Sequence, residues 1–504
     1  MNAPKRILSA LLALLMTALS LTAAVSCAQG KVPENTTAAG QTDGTPDEST
    51  EPGGTEPQFS DAKYGGAEWK IYMRDQTNAN YASLYVVPSE NASDVISQEA
   101  MSRNAKTEER FDIHISAIEA TNPYKTLKTD INAGEKLYDV ILDQRRYVAP
   151  LGVDGCLVNL NKLEVNFNTS WWDGKAAENY SACGKLFVIP NDASISNLGG
   201  VRFWYFNKEV LDEFRLQSPY EYAEKNEWIL DTFYGMIKSV SAPNADGTLG
   251  KYGLVNEEGY TRNAAIVGSA IPWINKIDET TFECRIGTDY ADKAQVIFDK
   301  LKTIVEDKNC CLSFDEAHEM DPAGQSSYND KYAHARGLFA TGHFLFVHSN
   351  MNSASEFTEI KKGFGVIMNP KYSPDQEEYY HRMDSNSIIF SLPKFADADP
   401  QATIEIMDYW GYVSHSTSME AYYELTLKTK RASDPTAAGV LDTVKATISY
   451  SISEIFANSS YSIDIGDFMT AAYSSSVAKG WKTYRRPIEN GIKKVIEALD
   501  AMEE

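Results

Sequence analysis

The sequence predicts an α/β protein built on an open, mainly parallel sheet. Three observations carry that expectation. The chain has 504 residues, 43% of them hydrophobic, which is enough to bury a sizeable core and, at about 100–200 residues per domain, to hold more than one folded unit. Short apolar runs alternate with stretches of helical periodicity. In the first third of the body these elements come in the order β-α-β-α-β, which yields parallel strands with helices on both faces.

Residues 69–74 (WKIYMR) alternate as a strand does. Ser93 and Asp94 then offer caps for a helix running to about Arg110, with Arg103, Lys106, Glu108 and Glu109 on its polar face. Residues 112–116 (DIHIS) form the second strand. Tyr124, Leu127 and Ile131 recur at helical spacing until Gly134 stops the turn, and residues 138–142 (YDVIL) make the third strand. Open sheets of this kind bind ligands in the crevice beyond the carboxyl ends of their strands. Here those ends lead into residues 75–78 (DQTN), 120–122 (ATN) and 143–147 (DQRRY). Loops are polar in general; as three on one edge these form a candidate rim.

Ahead of the body, Lys5 and Arg6 precede an apolar run over residues 7–25, the pattern of a secretory signal. A transmembrane anchor is the competing reading, since the run is nearly long enough to cross a bilayer. Its ending, Ala24-Val25-Ser26-Cys27, resembles a bacterial lipobox, with Ala24 departing from the usual leucine. That predicts a signal over residues 1–26, lipidation at Cys27 and a body on the extracellular face of the membrane. Residues 27–63 are rich in Gly, Thr, Pro, Glu, Asp and Ser and predict a disordered acidic tether with a reach of about 30–35 Å.

The whole chain carries 47 Lys+Arg against 70 Asp+Glu, a net charge of -23. Such a field opposes the phosphate neutralisation on which nucleic-acid affinity rests, so no nucleic-acid partner is expected. Five cysteines remain after Cys27: Cys156, Cys183, Cys284, Cys310 and Cys311. An odd number excludes complete pairing within one chain; buried thiols are the favoured reading and a single disulfide the other. Their spacing matches no zinc motif, and His343 and His348 fall on opposite faces of an expected strand, so no metal is expected. Walker-type phosphate loops, HExxH and GxSxG motifs are absent from the sequence.

Later segments resemble the bacterial extracellular solute-binding proteins of the carbohydrate ABC transporter type, the family that includes maltose-binding proteins. Residues 138–141 (YDVI) followed by 151–160 (LGVDGCLVNL) are similar to its "DV…G.L..L" segment, and residues 184–190 (GKLFVIP) to its "GK.Y..P". Residues 203–211 (FWYFNKEVL) resemble the "l.YNKdlf" crossover, 228–233 (WILDTF) the "WT.dEf" helix start, 339–343 (FATGH) "F..Gk", and 363–370 (GFGVIMNP) the strand ending in "lP". The ordered series covers roughly residues 64–430. It implies a two-lobed periplasmic-binding-protein-like fold of type II, with discontinuous lobes joined by crossover strands: one lobe about 64–203 plus 388–440, the other about 207–384 plus 441–504. A return crossover is expected at residues 385–390 (SNSIIF), and Asp399-Pro400 should open a helix carrying Ile404, Met407 and Trp410.

The resemblance further implies a non-enzymatic carrier that captures a mono- or oligosaccharide and delivers it to ABC permease subunits, as a lipid-anchored monomer without cofactor. Sugars present hydroxyls at their edge and apolar faces, so their sites combine aromatic rings with a few placed polar groups. Trp273, in a cleft loop of the second lobe, and Trp171 and Trp172, in an expected loop, are the candidate platforms, each weighed against core packing. Asp143 is the preferred polar anchor at a strand end. Beside it Arg145 and Arg146 either pair with acids or meet an anionic ligand such as a uronic acid, and Tyr147, Ser349 and Asn350 complete the expected edge. Capture of a peptide or other solute, a glycan-acting enzyme and a surface adhesin or sensor are the alternatives.

Overall fold

The computed structural model describes residues 57–74, 85–120, 123–357, 360–424, 435–457 and 461–502; the expected signal, Cys27 and most of the expected tether lie outside them. Strand β1 (Ala67–Arg74) pairs in parallel with β2 (Ile113–Ala120) and with β3 (Val140–Gln144), so that Tyr72 stands opposite both Ile118 and Ile141. Between β1 and β2 runs helix α1 (Val95–Phe111), capped by Asp94, whose side chain accepts from the Ser97 N–H at 2.9 Å. Asp112 ends α1 in the left-handed region at φ 51° and donates its N–H to Glu108 O, so β2 starts one residue later than the alternation suggests.

Arg103 does not join the polar face. Ile96, Ala100, Arg103, Thr107 and Phe111 form one buried stripe at helical spacing, and Arg103 is fully buried within it. Its guanidinium is satisfied by carbonyls: Nη1 donates to Ala193 O at 2.9 Å and Nη2 to Tyr85 O at 3.1 Å, over the Trp410 ring. Burial without a carboxylate partner lowers its pKa to about 9.

A second, larger sheet has the order β11-β4-β10-β6-β5, from β4 (Val201–Asn207), β5 (Ser241–Ala242), β6 (Lys251–Asn256), β10 (Phe344–Asn350) and β11 (Phe364–Ile367). Short strands β9 (Cys311–Ser313) and β12 (Arg382–Met383) join β6 and β4, while β7 (Asn275–Lys276) and β8 (Phe282–Glu283) form a separate hairpin. Every residue of β4 (VRFWYFN) is buried, as expected for a central strand covered on both faces.

Two passages join the sheets. The first runs from Ile189, bridged to Phe390, into β4; the second leaves β12 at Met383 and enters β13 (Ile388–Ser391), which pairs antiparallel with β3 in the smaller sheet. They touch at Gly200, whose O accepts from the Asp384 N–H at 2.7 Å. A Cβ on Gly200 would stand 2.1 Å from Ser387 Oγ and 3.0 Å from Ser196 O, so a larger residue must turn the Ser387 side chain away and crowd a backbone carbonyl.

The helix expected after Asp399 runs over Pro400–His415; its buried Ile404, Met407 and Trp410 face inward, and it packs on α1. Helix Pro435–Ala446 then packs on β11 and β4, whereas Ile452–Ile455 packs on the helix that follows β3. The chain thus packs on the larger sheet over Pro435–Ala446 and touches the smaller lobe again at Ile452–Ile455. Apolar Val440, Leu441 and Val444, all buried, drive the packing on the larger sheet.

Phe59, within the expected tether, packs on the body. The Phe59 ring lies 4.9 Å from that of Tyr412 and 5.2 Å from that of Tyr409, so the end of the expected tether is tied down by aromatic packing. All five body cysteines are free thiols. No helix among the described residues is long and apolar enough to cross a membrane.

Candidate functional site

A cavity of about 330 Å³ lies where the two passages meet. Its walls come from the start of α2 (Arg145–Val153), from β4 and β12, from α3 (Glu258–Gly268) and from the beginning of α4 (Ile465–Ser474). Because β3 ends at Gln144 and the helix turns at once, Arg145 is directed under the returning strand, its N–H donating to Ser387 O.

Four guanidinium groups line the cavity. Arg145 donates through Nη1 to Glu454 Oε2 at 3.1 Å and Tyr180 Oη at 3.0 Å, and through Nη2 to Met383 O and Asp384 O. Arg382 takes the other oxygen of Glu454, Nε to Oε1 at 2.6 Å. One buried carboxylate thus holds an arginine from the helix after β3 and another from β12 of the larger sheet. Arg202 donates to Asp384 Oδ2 at 2.8 Å, Glu257 Oε2 at 2.6 Å and His348 O at 3.0 Å. Burial by itself would lower the pKa of Arg145 and Arg202, but Glu454 at the first and Glu257 with Asp384 at the second outweigh it and hold both above the ordinary arginine value.

Two aromatic rings are stacked by these cations. The Arg382 Cζ stands 3.4 Å from the centroid of Trp273, and the Arg202 Cζ 3.5 Å from that of Tyr260. Arg146, the fourth guanidinium, bonds to amide oxygens: Nε and Nη2 donate to Gln144 Oε1 at 3.2 and 3.0 Å, and Nη2 to Asn386 Oδ1 at 3.1 Å. Asn263, Ser385, Asn369, Asp464 and Asp467 add polar groups to the wall. His348 is buried there and kept neutral: burial, then Arg202, hold its pKa well below that of a free imidazole. No cluster of His, Cys, Asp and Glu among the described residues is built to hold a metal.

No family model matches the sequence, and no curated protein matches it. Solved structures do match in three dimensions. A cyclo/maltodextrin-binding protein complexed with maltotetraose gives a TM-score of 0.53 at 14% identity, over 88% of this chain and 100% of that one. A sugar transporter from Rhizobium etli in an open conformation gives 0.53 at 12% identity, over 87% and 100%. UgpB from Mycobacterium tuberculosis in complex with glycerophosphocholine gives 0.50 at 14%, over 86% and 100%. This chain has the maltodextrin-binding-protein fold.

Within that fold the expected site residues are distributed unevenly. Arg145 and Trp273 lie on the cavity wall. Asp143, one residue inside β3, is instead fully buried and pairs with Arg74 at 2.8 Å; its strand extends two residues further than the apolar run and carries it away from the crevice. Burial raises its pKa, opposed by Arg74. Arg145 accordingly pairs with Glu454, not with Asp143. Tyr147 lies beside Arg146 at 4.9 Å, behind the cavity wall.

Trp171 and Trp172 belong to the core of the smaller lobe. Both indole N–H groups donate to Asp408 Oδ1, at 2.7 and 2.6 Å, and Trp171 packs edge-on against Tyr412. Ser349 and Asn350 end the central strand β10 and are buried: Ser349 bonds Ser353, and Asn350 accepts from the Ser353 N–H. Arg202, Tyr260, Arg382 and Glu454 escaped the sequence reading. A signal for two of them is present, a single charge inside an apolar run, as in residues 201–206 (VRFWYF) and 452–456 (ISEIF), since such charges are buried only when paired.

Proposed function

We propose that the chain captures a carbohydrate outside the cell and delivers it to the permease of an ABC transporter. The observation that carries this reading is the cavity at the double crossing, walled by the helix that follows β3 and by strands of the larger sheet, and lined by Trp273, Tyr260 and fixed polar groups. Its volume of about 330 Å³ falls at the lower end of the range for small-molecule sites, which favours a short saccharide. A maltodextrin-binding protein and a sugar transporter share the fold. Division into two lobes, one around each sheet, supplies the two surfaces that a ligand must touch to favour a closed state. Lipidation at Cys27, after a signal over residues 1–26, would hold the body at the outer face of the membrane as a monomer beside its permease.

Calorimetry of the purified body against neutral and acidic mono- and oligosaccharides tests this directly. At least one saccharide is expected to bind, with a decrease in the radius of gyration measured by X-ray scattering as the lobes close. Clear binding of a peptide with none of any sugar would replace the reading by capture of another solute, and turnover of a glycan would make the protein an enzyme.

A further inference from the structure

The arginines of the cavity are not equivalent. Glu454 is shared by Arg145 and Arg382, while Asp384 and Glu257 both bind Arg202, so three of the four cations are already matched to buried or half-buried carboxylates. Arg146 is the remaining one. Among the described residues it forms no salt bridge: Asp143, its near neighbour, feels its charge but pairs with Arg74. Its Nε and Nη2 are held by Gln144 and Asn386 and its guanidinium lies 4.9 Å from the Tyr147 ring, which fixes the group while leaving Nη1 without a partner among the described residues. A planar, half-buried, immobilised guanidinium with donors to spare is pre-organised for an anion.

The wall at the start of α4 has the opposite chemistry. Asp464 and Asp467 stand together at the start of α4, the Asp464 carboxylate accepting from the Asp467 N–H at 3.0 Å, and the charge of Asp464 raises the Asp467 pKa. Carboxylates accept hydrogen bonds from hydroxyls and repel a second anion. A ligand suited to both walls carries one negative group for Arg146 and hydroxyls for Asp464, Asp467 and Asn263. A dianionic phosphate fits less well, since one cation without a salt bridge among the described residues shares the cavity with a pair of acids.

We infer that the cleft selects a carbohydrate bearing one carboxylate, a uronic or aldonic acid, with Arg146 as its anion anchor. This rests on the reading of the cavity as a saccharide site and specifies the class of saccharide.

Calorimetry with D-galacturonate, D-glucuronate and their disaccharides, beside galactose, glucose and glucose 6-phosphate, tests it on the wild-type body and on Arg146→Gln. The uronates should bind at least about tenfold more tightly than the neutral sugars, and Arg146→Gln should lose that advantage. Wild-type binding of the uronate should weaken several-fold between about 0.05 and 0.5 M NaCl, and that of the neutral sugar should not, a readout independent of whether the variant folds. Equal affinity for neutral and acidic sugars, tighter binding of the phosphate, or a folded Arg146→Gln with unchanged uronate affinity overturns this inference alone. Failure of every saccharide, neutral or acidic, overturns the underlying function together with it.

Discussion

His381 is fully buried with both ring nitrogens engaged: the Asn369 backbone N–H donates to Nε2 at 3.0 Å, and Nδ1 meets Thr447 Oγ1 at 2.8 Å. Thr447 Oγ1 already donates to Thr443 O, so the ring supplies the proton at Nδ1 and is neutral. A second proton on Nε2 would break the Asn369 bond, and burial lowers the pKa to about 3. In the unfolded chain this imidazole protonates near pH 6.5, so its contribution is complete above that value and is lost as pH falls toward 3. The unfolding free energy from urea titrations should therefore drop between pH 6.5 and 5, by about 2 kcal/mol for this one group, and His381→Gln should flatten the profile. His348 titrates in the same direction. A second expectation concerns Trp171 and Trp172, which composition alone offers as sugar platforms. Asp408→Ala strips both buried indoles of their acceptor and should cost about 2–4 kcal/mol in denaturant unfolding, with saccharide affinity unchanged. An affinity loss instead would return these tryptophans to the site.

At the level of elements, local chemistry was legible wherever it was sufficient. Asp94 and Asp399 cap helices with their own side chains, and the apolar spacing of Ile404, Met407 and Trp410 sets which face turns inward. Strand ends were less legible: β3 continues through Asp143 and Gln144 because pairing with β13, far away in sequence, holds them in the sheet. Gly200 is the clearest element-level constraint, since the two passages touch there without space for a Cβ. Gly200→Ala should turn the Ser387 side chain away, crowd the Ser196 carbonyl and cost about 1–3 kcal/mol in thermal or denaturant unfolding, whereas Gly235→Ala, on an open helical surface, should be neutral or mildly stabilising. Equal effects of the two substitutions would remove the packing argument.

For the whole molecule, Glu454 joins the lobes by binding Arg145 next to the smaller sheet and Arg382 on the larger one. Its replacement by alanine leaves Arg145 buried beside Tyr180 without a counter-charge, which should destabilise the body by about 3–5 kcal/mol and broaden its unfolding as the lobes lose their shared carboxylate. A cooperative transition of wild-type midpoint would show that the carboxylate does not couple them. The sequence by itself determined the α/β class, the β-α-β-α-β order of the first sheet, the family resemblance and the net acidity, because periodicity, caps and composition are legible along the chain. Tertiary structure decided which charges meet. Arg145, Arg202, Arg382 and Glu454 come from four separate segments, with a separation of 309 residues between Arg145 and Glu454, and whether an arginine is matched or left for a ligand depends on the through-space distance to a carboxylate. That distance separates Asp143, bound to Arg74, from Arg146, and no reading along the chain contains it.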